Sequence, residues 1–303
     1  MFLNARTRQH IQKFNLGPDW TNIFYILFFM LMGFIVTPIY FVFHSFTWGP
    51  FLLMIMMYWL VGLSVTMGYH RLFSHKSFKA NKIVEFFLLF FGALALEHSA
   101  LKWSSDHRTH HQYTDTDKDP YNAHLGLLWS HLLWIFYSKK NESHYRWDFL
   151  TLNQKKLAQK FPNCQDLVKN PLVRLQHAIS LPLGVILSLS IPALIGWAVG
   201  GDVWAYVLVA GFLRITLLHH STFTINSLAH YWGKKNYPSL DTAKDSFLVA
   251  LISLGEGYHN YHHTFPSDYR NGVLAHQFDP TKWVIYLCSK VGFTWDLKRM
   301  QRS

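Results

Sequence analysis

Residues 257–266 read Gly-Tyr-His-Asn-Tyr-His-His-Thr-Phe-Pro, and this stretch decides how the chain folds. If it is helical, His259, His262 and His263 stand on one face, at the spacing that lets three imidazoles converge on one ion. A single triple of this kind is equally typical of buried histidines that only form hydrogen bonds. The rest of the chain therefore has to distinguish a metal site from a structural cluster.

Three further motifs also contain histidines. Residues 70–75 read His-Arg-Leu-Phe-Ser-His, residues 107–111 read His-Arg-Thr-His-His, and residues 226–230 read Asn-Ser-Leu-Ala-His. The four motifs hold nine of the 19 histidines: His70, His75, His107, His110, His111, His230, His259, His262 and His263. Nine imidazoles exceed the four ligands of one zinc ion, so the motifs indicate two metals. Imidazole suits zinc, copper, iron and nickel, but zinc has no redox chemistry, whereas paired iron can activate dioxygen.

The composition favours a membrane protein. Of 303 residues, 50% are hydrophobic, 17% aromatic and only 15% charged. The net charge of +11 is spread over the ends and polar connections, without a basic helix or an RNA-binding aromatic motif. We therefore expect a membrane surface or an anionic substrate as partner, and no nucleic acid. Cys164 and Cys288 lack CxxC spacing and predict neither a disulfide framework nor a cysteine metal site.

The apolar runs predict an all-α integral membrane protein, a single domain over residues 1–303. Four transmembrane helices are expected at about 22–44, 48–69, 177–200 and 203–222. The turns at 45–47 and 200–202 carry no positive charge, as connections on the far side should. This topology places both termini in the cytoplasm. The histidine motifs then lie in a helical cytosolic cap formed by residues 70–176 and 223–303.

Residues 83–101 are apolar enough to suggest a fifth crossing. Glu85 and Glu97 oppose this, because each charge near a helix centre costs about 2.5 to 3.5 kcal/mol. A crossing would also put residues 70–75 and residues 107–111 on opposite sides of the membrane. A shared metal site therefore requires this segment to lie at the interface or to re-enter, and we expect an interfacial segment.

The other histidines and nearby carboxylates have weaker assignments. For His98, His124, His131, His177 and His276 a structural role is favoured, while His219 and His220 fit either support of the metal ligands or an interfacial polar position. Asp106, Asp115 and Glu256 neighbour the motifs and are candidate acceptors for ring N–H groups. A solvated or helix-capping role is as good an interpretation of each carboxylate.

With these four motifs in place, the sequence resembles the membrane-bound fatty acyl desaturases of the stearoyl-CoA (delta-9) type. The resemblance runs from the second span to Tyr269, with the motifs in that family's order. It implies four transmembrane helices and a cytosolic cap that holds a di-iron centre. The nine motif histidines would be direct ligands, and Asn226 would act through a water. Trp103 and Thr222 would line the bend of an acyl tunnel, although Trp103 also suits an interfacial anchor.

The sequence departs from the animal members of that family at several positions. It has Glu97 and His98 where they carry Gln-Asn, and Ser105 and Ser138 where they carry arginines, while Lys139 is kept as an expected substrate contact. The resemblance favours acyl-CoA as the carrier, but the loss of basic partners for a nucleotide phosphate weakens that inference and leaves acyl carrier protein or a membrane lipid as alternatives. We expect electrons from a separate donor, a ferredoxin-like protein or a b-type cytochrome with its reductase.

The resemblance predicts an oxidoreductase of fatty acid biosynthesis that uses dioxygen to introduce a cis double bond, most simply at the delta-9 position. A lipid hydroxylase with the same metal pair is the alternative, and product mass separates the two. A membrane metal transporter is disfavoured because no predicted span carries the acidic or histidine pairs of an ion path. A zinc membrane protease is disfavoured because the chain lacks an HExxH motif.

Overall fold

The computed structural model describes residues 3–139 and 151–300, and these residues form a mostly helical structure. The helices are α1 (Ala5–Lys13), α2 (Trp20–Phe43), α3 (Trp48–Ser74), α4 (Lys82–Ala93), α5 (Ala100–Tyr113), α6 (Trp134–Phe136), α7 (Gln154–Lys160), α8 (Gln165–Lys169), α9 (Pro171–Ala198), α10 (Val203–Tyr231), α11 (Phe247–Ile252), α12 (His259–Thr264) and α13 (Pro280–Lys290). The strands are β1 (Leu16–Pro18), β2 (Lys79–Ala80), β3 (Tyr137–Lys139) and β4 (Thr294–Trp295). Strands β1 and β3 pair antiparallel, as do β2 and β4.

Helices α2, α3, α9 and α10 are long and apolar enough to cross a membrane. They correspond to the four predicted spans, so the prediction of a multi-pass membrane protein is confirmed. Helices α3 and α10 continue to Ser74 and Tyr231, beyond the predicted ends at 69 and 222. The extra turns contain polar residues and histidines. Hydropathy alone therefore predicts that each helix ends before them.

The two turns between paired long helices lie at the same end of the bundle. The Tyr40 hydroxyl near the end of α2 donates a 2.6 Å hydrogen bond to Asp202, which precedes α10. The opposite ends of α3 and α10 carry His70 and His230. The histidine motifs are therefore gathered at the other end of the bundle, as a shared site requires.

Burial distinguishes the roles of the long helices. In the most apolar stretch of α10, 72% of the residues are buried, whereas in the most apolar stretch of α2 only 22% are buried. Helix α10 is thus the central element, and α2 presents most of its apolar surface outward, as expected for a helix in contact with lipid.

The segment that suggested a fifth crossing forms the 12-residue helix α4 followed by a turn at residues 94–99. A helix of this length spans about 18 Å, less than the roughly 30 Å of hydrocarbon. It packs against the end of α3, where a Cβ on Gly92 would overlap the Tyr69 ring. Helix α5 then starts at the cap residue Ser99, whose hydroxyl accepts from the amide of Lys102.

The turn at residues 94–99 is buried, and its carbonyls need partners. Arg214 on α10 donates through Nη1 to the Leu94 carbonyl at 2.7 Å, and His219 Nε2 lies 2.9 Å from the Ala95 carbonyl. Because an unpaired carbonyl in an apolar environment is costly, these bonds let irregular backbone exist beside membrane helices.

Candidate metal centre

The nine motif histidines come together in two groups. Within each group, one ring nitrogen per residue lies within 4.8 Å of the others. The first group contains His70, His75, His107, His111 and His262, and the second group contains His110, His230, His259 and His263. The histidine clusters can therefore bind metal.

The spacing of the nitrogens fits ions at the centre of each group. In the first group, His262 Nε2 lies 3.0 Å from Nε2 of both His70 and His111. In the second group, His259 Nε2 lies 3.1 Å from Nε2 of both His230 and His263. Two nitrogens bound at right angles, about 2.1 Å from one ion, would be separated by about 3.0 Å. The all-nitrogen donor set and its spacing therefore fit two transition-metal ions.

Each histidine triple serves both groups, contrary to the expectation that one triple converges on one ion. On α5, His107 and His111 join the first group while His110 joins the second. On α12, His262 joins the first group while His259 and His263 join the second. Residues i and i+4 point the same way on a helix, and the third histidine is rotated toward the other group.

His70 and His75 share a group because the end of α3 is not an α-helix. Residues Ser64–Ser74 are π-helical, and the His75 amide donates to the His70 carbonyl at 3.1 Å, a five-residue step. In an α-helix, side chains five residues apart diverge by about 140°. The wider π turn brings the two rings to one side, with ring centroids 4.8 Å apart.

A glycine before α12 allows this helix to approach α11. A Cβ on Gly257 would overlap the backbone nitrogen of Ala250 and the carbonyl oxygen of Ser246. The Ser246 amide also donates to the Gly257 carbonyl at 2.7 Å. This close contact fixes where the triple of His259, His262 and His263 enters the site.

Oxygen atoms behind the rings orient several of the histidines. Glu256 Oε2 lies 2.7 Å from His70 Nδ1, and Asp119 Oδ1 lies 2.9 Å from His110 Nδ1. A carboxylate beside Nδ1 favours the tautomer with the proton on that atom, so that Nε2 keeps its lone pair toward the centre of the group, the arrangement common to metal-binding histidines. Glu256 was one of the three carboxylates singled out in the sequence, whereas Asp119 was missed, because it lies nine residues beyond His110 on a separate turn.

The second group has a further oxygen partner. Thr242 Oγ1 lies 2.8 Å from His230 Nδ1 and donates to Asp115 at 3.0 Å, so Asp115 acts through a threonine. The third candidate, Asp106, pairs with Lys102 on its own helix. The ion pair between Lys102 and Asp106 lies on the surface of α5, so Asp106 fits the interpretation as a solvated carboxylate.

Arg71 ties the first group to the C-terminal part of the chain. It is 1% exposed and donates through Nη2 to Glu256 at 2.8 Å and to Asp279 at 3.0 Å. The guanidinium gives each of the two buried carboxylates a charged hydrogen-bond partner, and it holds Glu256 in place behind His70.

Six of the grouped imidazoles outside the long helices are neutral at physiological pH. Burial, followed by repulsion between neighbouring rings, lowers the pKa of these rings well below the ordinary value of 6.5. The six are His75, His107, His111, His259, His262 and His263. A neutral ring offers a lone pair, as metal binding requires.

Other histidines lie outside the two groups. His131 Nε2 is 3.0 Å from His220 Nδ1, and His177 Nδ1 is 2.6 Å from the Ser99 hydroxyl. His219 contacts the buried turn described above. Neither His219 nor His220 forms a hydrogen bond with a grouped histidine within residues 3–139 and 151–300; their partners are the Ala95 carbonyl and His131.

A largely apolar cavity runs from the first group toward the membrane helices. His70 and His107 border it, and Trp103, Thr222 and Asn226 also line its wall. Trp103 packs on His107 with ring centroids 4.9 Å apart. The structure thus brings the predicted tunnel residues to one cavity beside the histidines. Lys139 lies elsewhere, exposed on β3 opposite Leu16.

Comparison with known proteins agrees with this arrangement. The family model described as "Fatty acid desaturase" matches residues 45–278. Acyl-CoA desaturase 1 of Saccharomyces cerevisiae is 38% identical over 84% of this chain and 47% of its own length. Acyl-CoA Delta(11) desaturase of Trichoplusia ni is 34% identical over 88% of this chain and 73% of its own length. The sn-2 palmitoyl-lipid 9-desaturase of Nostoc sp. is 35% identical over 90% and 88%. The chain spans only 59% and 47% of the lengths of two yeast relatives.

Proposed function

The chain belongs to the fatty acid desaturase family, and we propose that it introduces a cis double bond into a saturated fatty acyl chain in an oxygen-dependent reaction. The observation that carries the proposal is the apolar cavity that borders the first histidine group, because an acyl chain in it would lie beside the metal centre. The double bond is proposed at the delta-9 position. One relative is named for position 11 and another for position 9, so the position of the double bond in the product has to be measured.

The nine histidines would hold two iron ions, one in each group, with Asn226 acting through a water. The chemistry that bound iron supplies is activation of dioxygen and removal of two hydrogens from adjacent methylenes. Two electrons and two protons balance the reduction of dioxygen to two waters. A separate donor would supply the electrons, either a ferredoxin-like protein or a b-type cytochrome with its reductase.

The protein's own residues would orient the rings and the substrate. Glu256 and Asp119 hold the Nδ1 atoms of two ligands, so that the Nε2 atoms stay directed at the centre of each group. The apolar wall excludes water from the reacting carbons. Trp103 and Thr222 would line the bend, and the shape of the cavity would decide which pair of methylenes lies beside the metals.

Acyl-CoA is the proposed carrier, and both termini and the metal centre are proposed to be cytoplasmic. Lys139, exposed on β3, would contact a phosphate of the carrier. A membrane lipid is the alternative carrier, since one relative that aligns over most of its length is named for a palmitoyl-lipid. Assays with palmitoyl-CoA and with palmitoyl-lipid vesicles separate these carriers.

Expression in a desaturase-deficient host tests the proposal. Gas chromatography with mass spectrometry should reveal a new cis-unsaturated fatty acid. An added oxygen atom would instead identify a hydroxylase, and an unchanged fatty-acid profile would overturn the proposal.

One variant from each histidine group tests the site. His262→Ala and His110→Ala should abolish product, because each removes one nitrogen from a group. The exposed His276→Ala is the matched control and should keep activity. Full activity in either grouped variant would exclude that histidine as a ligand.

A further inference from the structure

Glu97 occupies a strained position in the buried turn between α4 and α5. Its neighbours Leu96 and His98 both have positive φ, at 58° and 70°. Such conformations are disfavoured for a residue with a side chain and are retained where the surrounding structure enforces them. The strained backbone aims the Glu97 side chain into the cavity beside the first histidine group.

The Glu97 carboxyl joins the two residues proposed to shape the acyl chain. Trp103 Nε1 donates to Oε2 at 3.3 Å, and the Thr222 hydroxyl donates to Oε1 at 2.8 Å. Trp103 belongs to α5 and Thr222 to α10. One carboxyl group therefore bridges two helices across the wall of the cavity.

In the part of the chain that the structure describes, this carboxyl has no cationic partner to stabilise its charge. It is 9% exposed, and no basic side chain within residues 3–139 and 151–300 forms an ion pair with it. Burial raises the pKa of Glu97 to about 7, although the bonds from Thr222 and Trp103 oppose that rise. The titratable groups that face this region are Tyr58, Tyr69 and His70 of α3, Asp106 and His107 of α5, His219 of α10, and His98, Tyr121 and Glu256.

We propose that Glu97 is a positioning residue of the acyl chain, and that the chain binds to the protonated, uncharged form of its carboxyl. The inference rests on the proposed function. An apolar chain displaces water from the cavity, and loss of water disfavours the carboxylate more than the neutral acid. Ionised Glu97 must therefore take up one proton when the chain binds. The neutral acid keeps the bridge, because its O–H can donate to the Thr222 oxygen while the other oxygen still accepts from Trp103.

Binding measurements on the iron-loaded full chain in detergent, without reductant, test this coupling. The dissociation constant of palmitoyl-CoA should rise with pH above neutrality in the wild type, by up to about tenfold per pH unit. In Glu97→Gln that rise should be absent, because an amide does not ionise but can bond to both Trp103 and Thr222. Acetyl-CoA has the same carrier without a long chain, and its pH dependence should be the same in both proteins.

A second measurement needs no variant. Calorimetry of palmitoyl-CoA binding at about pH 8, in buffers of different ionisation enthalpy, should report uptake of close to one proton per chain. Zero uptake, or the same pH dependence in wild type and Glu97→Gln, would overturn the inference. Failure of the proposed function is a separate result, since it would appear as an unchanged fatty-acid profile in the expressing host.

Discussion

Glu256→Gln should weaken metal binding at the first histidine group without removing a ligand. In the wild type Glu256 Oε2 faces His70 Nδ1 at 2.7 Å, while Oε1 accepts from Arg71 at 2.8 Å. The amide oxygen of Gln would stay with the Arg71 guanidinium, which can only donate. The NH₂ group would then face His70 Nδ1 and drive the ring to the tautomer with its proton on Nε2. That proton blocks the atom that points to the centre of the group.

The expected magnitude follows from the contacts. Loss of a carboxylate behind a metal-binding histidine typically lowers metal affinity by about 10- to 100-fold, or about 1.4 to 2.7 kcal/mol. Breaking a buried ion pair can cost about 3 to 5 kcal/mol. The loss of folding stability should be smaller, about 2 kcal/mol, because Arg71 keeps both of its bonds to Asp279 at 3.0 and 3.1 Å.

Iron content and chelator competition measure the effect. At an iron concentration that just fills the wild type, the metal-to-protein ratio should be lower in Glu256→Gln, falling from about two toward about one, because Glu256 lies beside a histidine of the first group. Asp166→Asn is the matched control, since it removes a carboxylate from Arg108 and Lys76 without touching a histidine. Wild-type iron affinity in Glu256→Gln would refute the tautomer argument.

Three further variants test other parts of the structure. Burial raises the pKa of Glu97 from 4.5 to about 7, so the folded state holds this proton more tightly than the unfolded state, and stability should fall as pH rises between those values. Thermal unfolding of wild type and Glu97→Gln should therefore diverge by about 3 kcal/mol between about pH 4.5 and about pH 8, and a constant difference would contradict the burial argument. Arg214→Leu should lower unfolding stability in detergent by about 1 kcal/mol, because the buried Leu94 carbonyl loses the shorter of its two hydrogen bonds, and an unchanged midpoint would mean that the remaining 3.2 Å bond from the Ser188 hydroxyl is sufficient. Thr222→Val removes the hydrogen bond from residue 222 to Glu97 and should spread the double bond over neighbouring positions in the product analysis. A wild-type distribution of products would show that the Thr222 hydroxyl does not position the acyl chain.

Local patterns in the sequence were sufficient for the four long helices and for the two-metal hypothesis. Apolar run length reports membrane crossing because a helix must span a fixed thickness of hydrocarbon. The two acidic residues in residues 83–101 correctly predicted a segment that does not cross. Histidine spacing predicted that His107 groups with His111 and His259 with His263, because neighbours at i+4 lie on one helix face.

Only the tertiary structure decided how those ligands are shared. The division of each triple between two groups depends on how α5 and α12 face each other, and the pairing of His70 with His75 depends on a π-helical turn that carries no sequence signature. Asp119 and Thr242 became ring partners through contacts between separate segments, which spacing along one helix does not encode. The bridge from Glu97 to Trp103 and Thr222 likewise required a buried, strained turn held by bonds from α10. Sequence patterns thus determined which chemistry the chain can carry, while long-range packing determined which atoms meet, because a hydrogen bond depends on positions in space and not on separation along the chain.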